Sequence, residues 1–171
     1  MRIRARWLGE ALAVVAIVLA VQWWQKRDTA SGPAPHFEAV LADGRTTTLE
    51  SWRRNHPGRP VALHFWAEWC PICTAVRGSV DALGRDWPLL TVAMQSGDPA
   101  AVSRHLDRQG LRWPTVVDAD GRITSLFGLR GVPAFVVLDA TGEIRFVEIG
   151  YTSELGMRMR LWWVKQTQRS P

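Results

Sequence analysis

The chain of 171 residues is predicted to fold as an α/β protein, with a central mixed β-sheet flanked by helices on both faces and one N-terminal transmembrane helix in front of it. Three observations carry this expectation. Strand-like and helix-like segments alternate through the middle of the chain. The run Val61–Trp66 (VALHFW) is apolar apart from His64, the pattern of a strand buried on both faces. An apolar stretch of helical length follows three arginines at the N-terminus.

That stretch, Leu8 to Trp24, reads LGEALAVVAIVLAVQWW. As a helix it covers about 25 Å, close to a hydrocarbon core of about 30 Å. Arg2, Arg4 and Arg6 keep the start cytoplasmic, while Trp23, Trp24, Lys26 and Arg27 suit the far interface. Residues 1–27 therefore read as a signal anchor spanning about 8–24, single-pass in the cytoplasmic membrane, with the remainder in the periplasm or another extracytoplasmic space. A cleaved signal peptide ending near Val18-Leu19-Ala20 is the alternative. Residues 28–36, rich in Pro, Gly and small polar side chains, read as a tether, and 37–168 as the folded domain.

Within that domain, Phe37–Ala42 and Arg45–Thr48 flank Asp43-Gly44, a hairpin signal. Leu49–Arg54 is a short helix, Asn55–Pro60 a loop and Val61–Trp66 the buried strand. A helix is expected from Cys70 or Pro71 to Leu83 and a strand over Leu89–Met94. Asp98 caps a helix over Pro99–Gln109, with Pro99 at its first position. Pro114–Val117 is a strand and Arg122–Phe127 a short helix. Ala134–Leu138 and Glu143–Ile149 flank a turn at Asp139–Gly142, which makes the sheet mixed. Thr152 to about Gln166 closes the chain as a helix, in which Trp162 and Trp163 are packing or an apolar rim and Arg158 and Arg160 are solvated.

Charge and cysteine content narrow the function. The formal net charge is +5, but Arg2, Arg4, Arg6, Lys26 and Arg27 against Glu10 account for nearly all of it. The domain itself is almost neutral, so no basic groove for nucleic acid is expected. Two cysteines three positions apart cannot staple distant segments, which excludes a disulfide scaffold.

They lie in Trp69-Cys70-Pro71-Ile72-Cys73, directly after the buried strand and at the start of a helix. At a helix N-cap, unpaired backbone N–H groups and the helix dipole favour a thiolate over a thiol at Cys70. Pro71 at the first helical position loses no hydrogen bond. Cys73, one turn on, can attack a mixed disulfide formed on Cys70. The spacing thus predicts an exposed attacking sulfur and a recessed resolving one. A zinc half-site is the alternative, although no second cysteine pair or His-x-x-x-His is present.

Phe65-Trp66-Ala67-Glu68-Trp69-Cys70-Pro71-Ile72-Cys73 resembles the active-site pattern of the thioredoxin superfamily. Gly131-Val132-Pro133, followed by a strand and by Asp139-Ala140-Thr141-Gly142, is similar to that superfamily's cis-proline loop. The stretch between the motifs resembles the membrane-anchored TlpA-like branch and, within it, the suppressor-of-copper-sensitivity protein D type. The resemblance implies a thioredoxin fold and a thiol–disulfide oxidoreductase. Cys70 would be the nucleophile, Cys73 the resolving residue, and Cys70–Cys73 the redox-active disulfide. Pro133 would be cis and pack against that disulfide, with the Val132 backbone pairing with an extended substrate. Trp69 and Trp66 would line the face around the site, with core packing the alternative for Trp66.

His64 stands where thioredoxin has a buried acid, and a histidine titrating near neutrality could relay protons to Cys73; a structural histidine is the other reading. Glu68 is either a proton carrier or a solvent-facing charge. No cofactor beyond the cysteine pair is implied. The expected partners are exported proteins bearing disulfides or thiols, the membrane through the N-terminal helix, and a membrane electron donor; nucleic acid is not among them. A module holding Cu(I) or zinc through Cys70, Cys73 and His64, and a redox-inactive scaffold, are the rival functions.

Overall fold

The computed structural model describes residues 30–168. The apolar span expected over 8–24 and the alternative cleavage site lie outside the described residues. Among the described residues no helix is long and apolar enough to cross a membrane.

The chain runs β1 (Gly32–Pro33), β2 (Glu38–Val40), β3 (Thr46–Thr48), α1 (Leu49–Arg54), β4 (Val61–Trp66), α2 (Pro71–Gly84), β5 (Leu89–Met94), α3 (Pro99–Arg108), β6 (Thr115–Asp118), α4 (Arg122–Leu126), β7 (Ala134–Leu138), β8 (Glu143–Ile149) and α5 (Glu154–Thr167). Six strands form one sheet in the order β1-β8-β7-β4-β5-β6. The β4–β5 and β5–β6 pairs are parallel, while β7 on β4, β8 on β7 and β1 on β8 are antiparallel. The sheet is mixed, as the late hairpin predicts. The β2–β3 hairpin stands apart from this sheet, joined to β6 by a bridge from Leu41 to Val116.

Every residue of β4 is buried, and its side chains alternate between two layers. Val61, Leu63 and Phe65 pack with Phe37, Trp52, Ile123 and Phe127 under α1, α4 and the hairpin. On the other face Ala62 meets Val76, Val80 and Leu83 of α2 and Met157, Leu161 and Val164 of α5. Trp66, at the end of the strand, joins both cysteines and α3 through Val102 and Leu106. Helices therefore cover both faces.

The proline-rich segment expected to be a tether is, from Ala30 onward, docked on the domain. Gly32 and Pro33 pair with Ile144 and Glu143, Ala30 N–H donates to the Phe127 carbonyl at 3.0 Å and Ala34 N–H to that of Gly142 at 2.9 Å. Edge strand β8 offers unpaired backbone groups to any extended neighbour, whatever its side chains, and a proline is tolerated at such an edge.

Side chains on α5 also depart from expectation. Arg158 is not merely solvated: it pairs with Glu154 and Asp86, each at 2.7 Å, and Arg160 pairs with Glu148 at 3.0 Å. Trp162 and Trp163 are 55% and 58% exposed, an apolar rim rather than packing.

Two aspartates hold the connections around the sheet. Buried Asp118 accepts from the N–H groups of Ile123 and Thr124, each at 2.9 Å, and from the Thr124 hydroxyl at 2.6 Å, which fixes the start of α4. Asp139 accepts from the N–H groups of Thr141, Gly142 and Glu143 and so closes the β7–β8 turn. Burial opposes the charged form of Asp139, but the Thr141 hydroxyl and the three N–H groups outweigh it and hold the carboxyl below its ordinary value.

Asp118→Ala leaves buried donors unpaired and is expected to cost about 3 kcal/mol in chemical denaturation. For Asp139, a lowered folded pKa stabilises the native state above the unfolded value of about 3.9, and that stability is lost as pH falls through the folded value. The stability gap between wild type and Asp139→Asn should therefore be constant from about pH 8 to 5 and narrow below about pH 4.

Candidate active site

Strand β4 carries the chain to one end of the sheet, where Ala67, Glu68 and Trp69 turn it into α2. Cys70 is the N-cap of α2, with extended backbone (φ −93°, ψ 111°), and its Sγ accepts from Cys73 N–H at 3.2 Å. Pro71 occupies the first turn, where no N–H is missed. Opposite lies the Val132-Pro133 peptide, which is cis as expected, with the Val132 carbonyl accepting from Cys70 Sγ at 3.6 Å. Both cysteines are free thiols.

The expected contrast between an exposed and a recessed sulfur is not what the structure gives. Cys70 is 5% exposed and Cys73 6%. Their difference is in surroundings, because an N-cap side chain folds back over its own helix terminus and Cys70 sits beneath the Val132 loop. The exposed rim belongs instead to Trp69 and Ile72, 58% and 50% exposed. Burial, followed by the adjacent Cys70 thiol, pushes the Cys73 thiol up to about 12, which keeps it protonated through the physiological range.

The Glu68-Trp69 turn is held by long-range contacts. Glu68 N–H donates to Ser96 Oγ at 3.0 Å, and Trp69 Nε1 to the Gln95 carbonyl at 3.1 Å. Trp66 is core rather than rim: it is 4% exposed, tilted against His105 at 5.4 Å and edge-on to Trp113 at 6.0 Å. Glu68 is no free surface charge, since its Oε1 lies 3.1 Å from both His105 Nδ1 and Arg108 Nη2.

His64 is 3% exposed on β4, and its Nδ1 has no hydrogen-bond partner. Burial lowers it to about 4 against the opposing Ala134 backbone, so it is neutral at physiological pH and does not titrate near neutrality as expected. A cavity of about 20 Å³ beside Cys73 is walled by His64, Trp66, Glu68, His105 and Trp113 among others. Among the described residues no group of three His, Cys, Asp or Glu side chains is gathered as a metal ligand set. The sequence marks His105 only as one of four scattered histidines and gives no sign of Arg108 or Ser96. His105 and Arg108 lie one turn apart on α3 and Ser96 in the loop after β5, and no local spacing ties any of them to the cysteines.

Residues 30–147 match the family model described as the AhpC/TSA family. The soluble secreted antigen MPT53 of Mycobacterium bovis is 32% identical over 148 residues, 81% of each chain. The thiol-disulfide oxidoreductase ResA of Halalkalibacterium halodurans is 26% identical over 151 residues, 84% of this chain and 85% of its own. Among solved structures, the exposed lipoprotein thioredoxin Etrx1 of Streptococcus pneumoniae strain TIGR4 superposes with a TM-score of 0.63 at 25% identity, covering 75% of this chain and 99% of the other.

The burial of Cys73 sets a reactivity test. In Cys70→Ser, alkylation of Cys73 by iodoacetamide should keep rising to at least about pH 10 without a plateau, because only the thiolate reacts. A plateau near pH 8 in mass-spectrometric rate measurements would contradict the burial argument.

Proposed function

This chain belongs to the AhpC/TSA family and is a thiol–disulfide oxidoreductase of the thioredoxin type, and we propose that it works outside the cytoplasm, tethered by residues 8–24, as a reductant of exported proteins. The observation that carries this reading is the dithiol at the start of α2, where Cys73 N–H donates to Cys70 Sγ at 3.2 Å. A thiolate at that sulfur keeps the same hydrogen bond, and attack on a substrate disulfide leaves a mixed disulfide one helical turn from Cys73. Cys73 then displaces the substrate sulfur, giving a Cys70–Cys73 disulfide and a reduced substrate.

The surrounding residues take their roles from this scheme. Trp69 and Ile72 supply an apolar rim for an unfolded or extended segment, and the Val132 backbone beside Pro133 is where that segment pairs. Pro71 starts the helix without disturbing its free N–H groups. An exported domain fits the names of two relatives, a secreted antigen and an exposed lipoprotein. It also fits the arginine-flanked apolar run at the N-terminus. We assign the chain to the TlpA-like branch, suppressor-of-copper-sensitivity protein D type, on the stretch between its two motifs, and the oxidised enzyme then needs a membrane electron donor.

Equilibration of the full chain against glutathione, followed by tryptophan fluorescence, tests the direction. A potential near or below about −220 mV supports a reductant, whereas one near −120 mV makes the protein an oxidant. Cys73→Ser should accumulate a mixed disulfide with a disulfide-bearing protein, and Cys70→Ser should form none. If the double serine variant retains function, the protein acts as a scaffold. Resistance of the full chain to carbonate extraction, with the domain open to external protease, is the expected result for the anchor.

A further inference from the structure

Resolution of the mixed disulfide requires Cys73 to lose its proton, and its burial makes a nearby acceptor necessary. Two histidines share its cavity. His64 is closed in on β4 and takes up a proton poorly at neutral pH. His105, from α3, is differently furnished. Its Nδ1 lies 3.1 Å from Glu68 Oε1, and the same oxygen accepts from Arg108 Nη2 at 3.1 Å. A carboxylate held by a guanidinium only accepts, so Nδ1 carries the hydrogen and Nε2 presents a lone pair. Protonation at Nε2 makes an imidazolium that rests against the Glu68 carboxylate.

His105 and Cys73 line the same small cavity. The cavity of about 20 Å³ has room for about one water. Trp66 Nε1, buried and without a protein partner, belongs to a ring that lines it. The charged and titratable groups around His105 are Glu68 from the turn, Arg108 on α3, Arg77 and Cys73 on α2, and His64 on β4. Arg77 is engaged by the Gln109 side chain, and the Trp66 ring lies tilted against the imidazole at 5.4 Å.

We propose that the Glu68–His105 pair receives the proton of Cys73 through this cavity during the resolving step. The proposal rests on the disulfide-exchange reading above. With Cys70 joined to a substrate sulfur, the Cys73 proton passes by way of water to His105 Nε2. The Cys73 thiolate attacks Cys70 Sγ, the Cys70–Cys73 bond forms, and the bond from Cys70 to the substrate breaks. The electron pair leaves with the substrate sulfur, which takes a proton from solvent. Two electrons move from the dithiol to the substrate disulfide, and no other reactant is needed. His105 acts as the acceptor, and Glu68 is a positioning residue.

The test uses the full chain, oxidised glutathione as the probe, and acid-quenched samples read by mass spectrometry. Glutathione on Cys70 reports the first step, and its conversion into the Cys70–Cys73 disulfide reports the second. In His105→Gln and Glu68→Gln the second step should slow at least about tenfold at pH 7. The His105→Gln deficit should shrink toward pH 10 and be partly rescued by added imidazole, while the first step stays within about twofold of wild type. A wild-type second step in both variants overturns the proposal. So does an equal loss at every pH without imidazole rescue, or a loss confined to His64→Gln. If His105→Gln does not fold, Glu68→Gln alone decides, since Glu68 sits at the rim with its side chain 42% exposed. Absence of both a glutathione adduct and a Cys70–Cys73 disulfide in the wild type instead defeats the disulfide-exchange reading itself.

Discussion

The chemistry of this molecule depends on the burial of β4 on both faces. A strand enclosed in this way cannot slip by one residue without driving His64 and Ala62 into the opposite layer, so its register is fixed. Its last residue, Trp66, therefore ends at a fixed height, and the next four residues bring Cys70 to the N-cap of α2. The helix is held at the same height by Val76, Val80 and Leu83, which pack against Ala62 and α5. A cysteine that relied on a mobile loop would not keep its sulfur within reach of Cys73 N–H.

Burial has a second consequence, which falls unequally on the polar groups it encloses. Asp118 and Asp139 are surrounded by backbone donors and serve as anchors for the turns. Thr91 and Thr115 satisfy each other across neighbouring strands at 2.8 Å. His64 Nδ1 and Trp66 Nε1 find no such partner, and both residues border the cavity at Cys73. Buried polar side-chain atoms without a protein partner are rare, and two of the three among the described residues belong to side chains lining the cavity at Cys73.

Two regions frame the site differently. On the rim, Trp69 and Ile72 present apolar surface next to the cis Val132-Pro133 peptide. Behind it, α3 contributes His105 and Arg108, which grip Glu68 and with it the turn that leads into Cys70. Substrate contact and proton handling are thus served from opposite sides of the cysteine pair.

The sequence alone determined the alternation of elements, the two-sided burial of Val61–Trp66 and the Cys70–Cys73 pair at a helix start, because each follows from local pattern: apolar periodicity, proline and glycine placement, and cap chemistry. Only the tertiary structure decided that Cys70 is itself nearly buried, that Gly32 and Pro33 pair with the edge of β8, and that His64 is held neutral. It also turned Glu68 from a surface charge into the partner of His105, thirty-seven positions away in sequence. Burial and long-range pairing are properties of neighbours that the chain meets only when folded. A residue's own type and spacing carry no record of them.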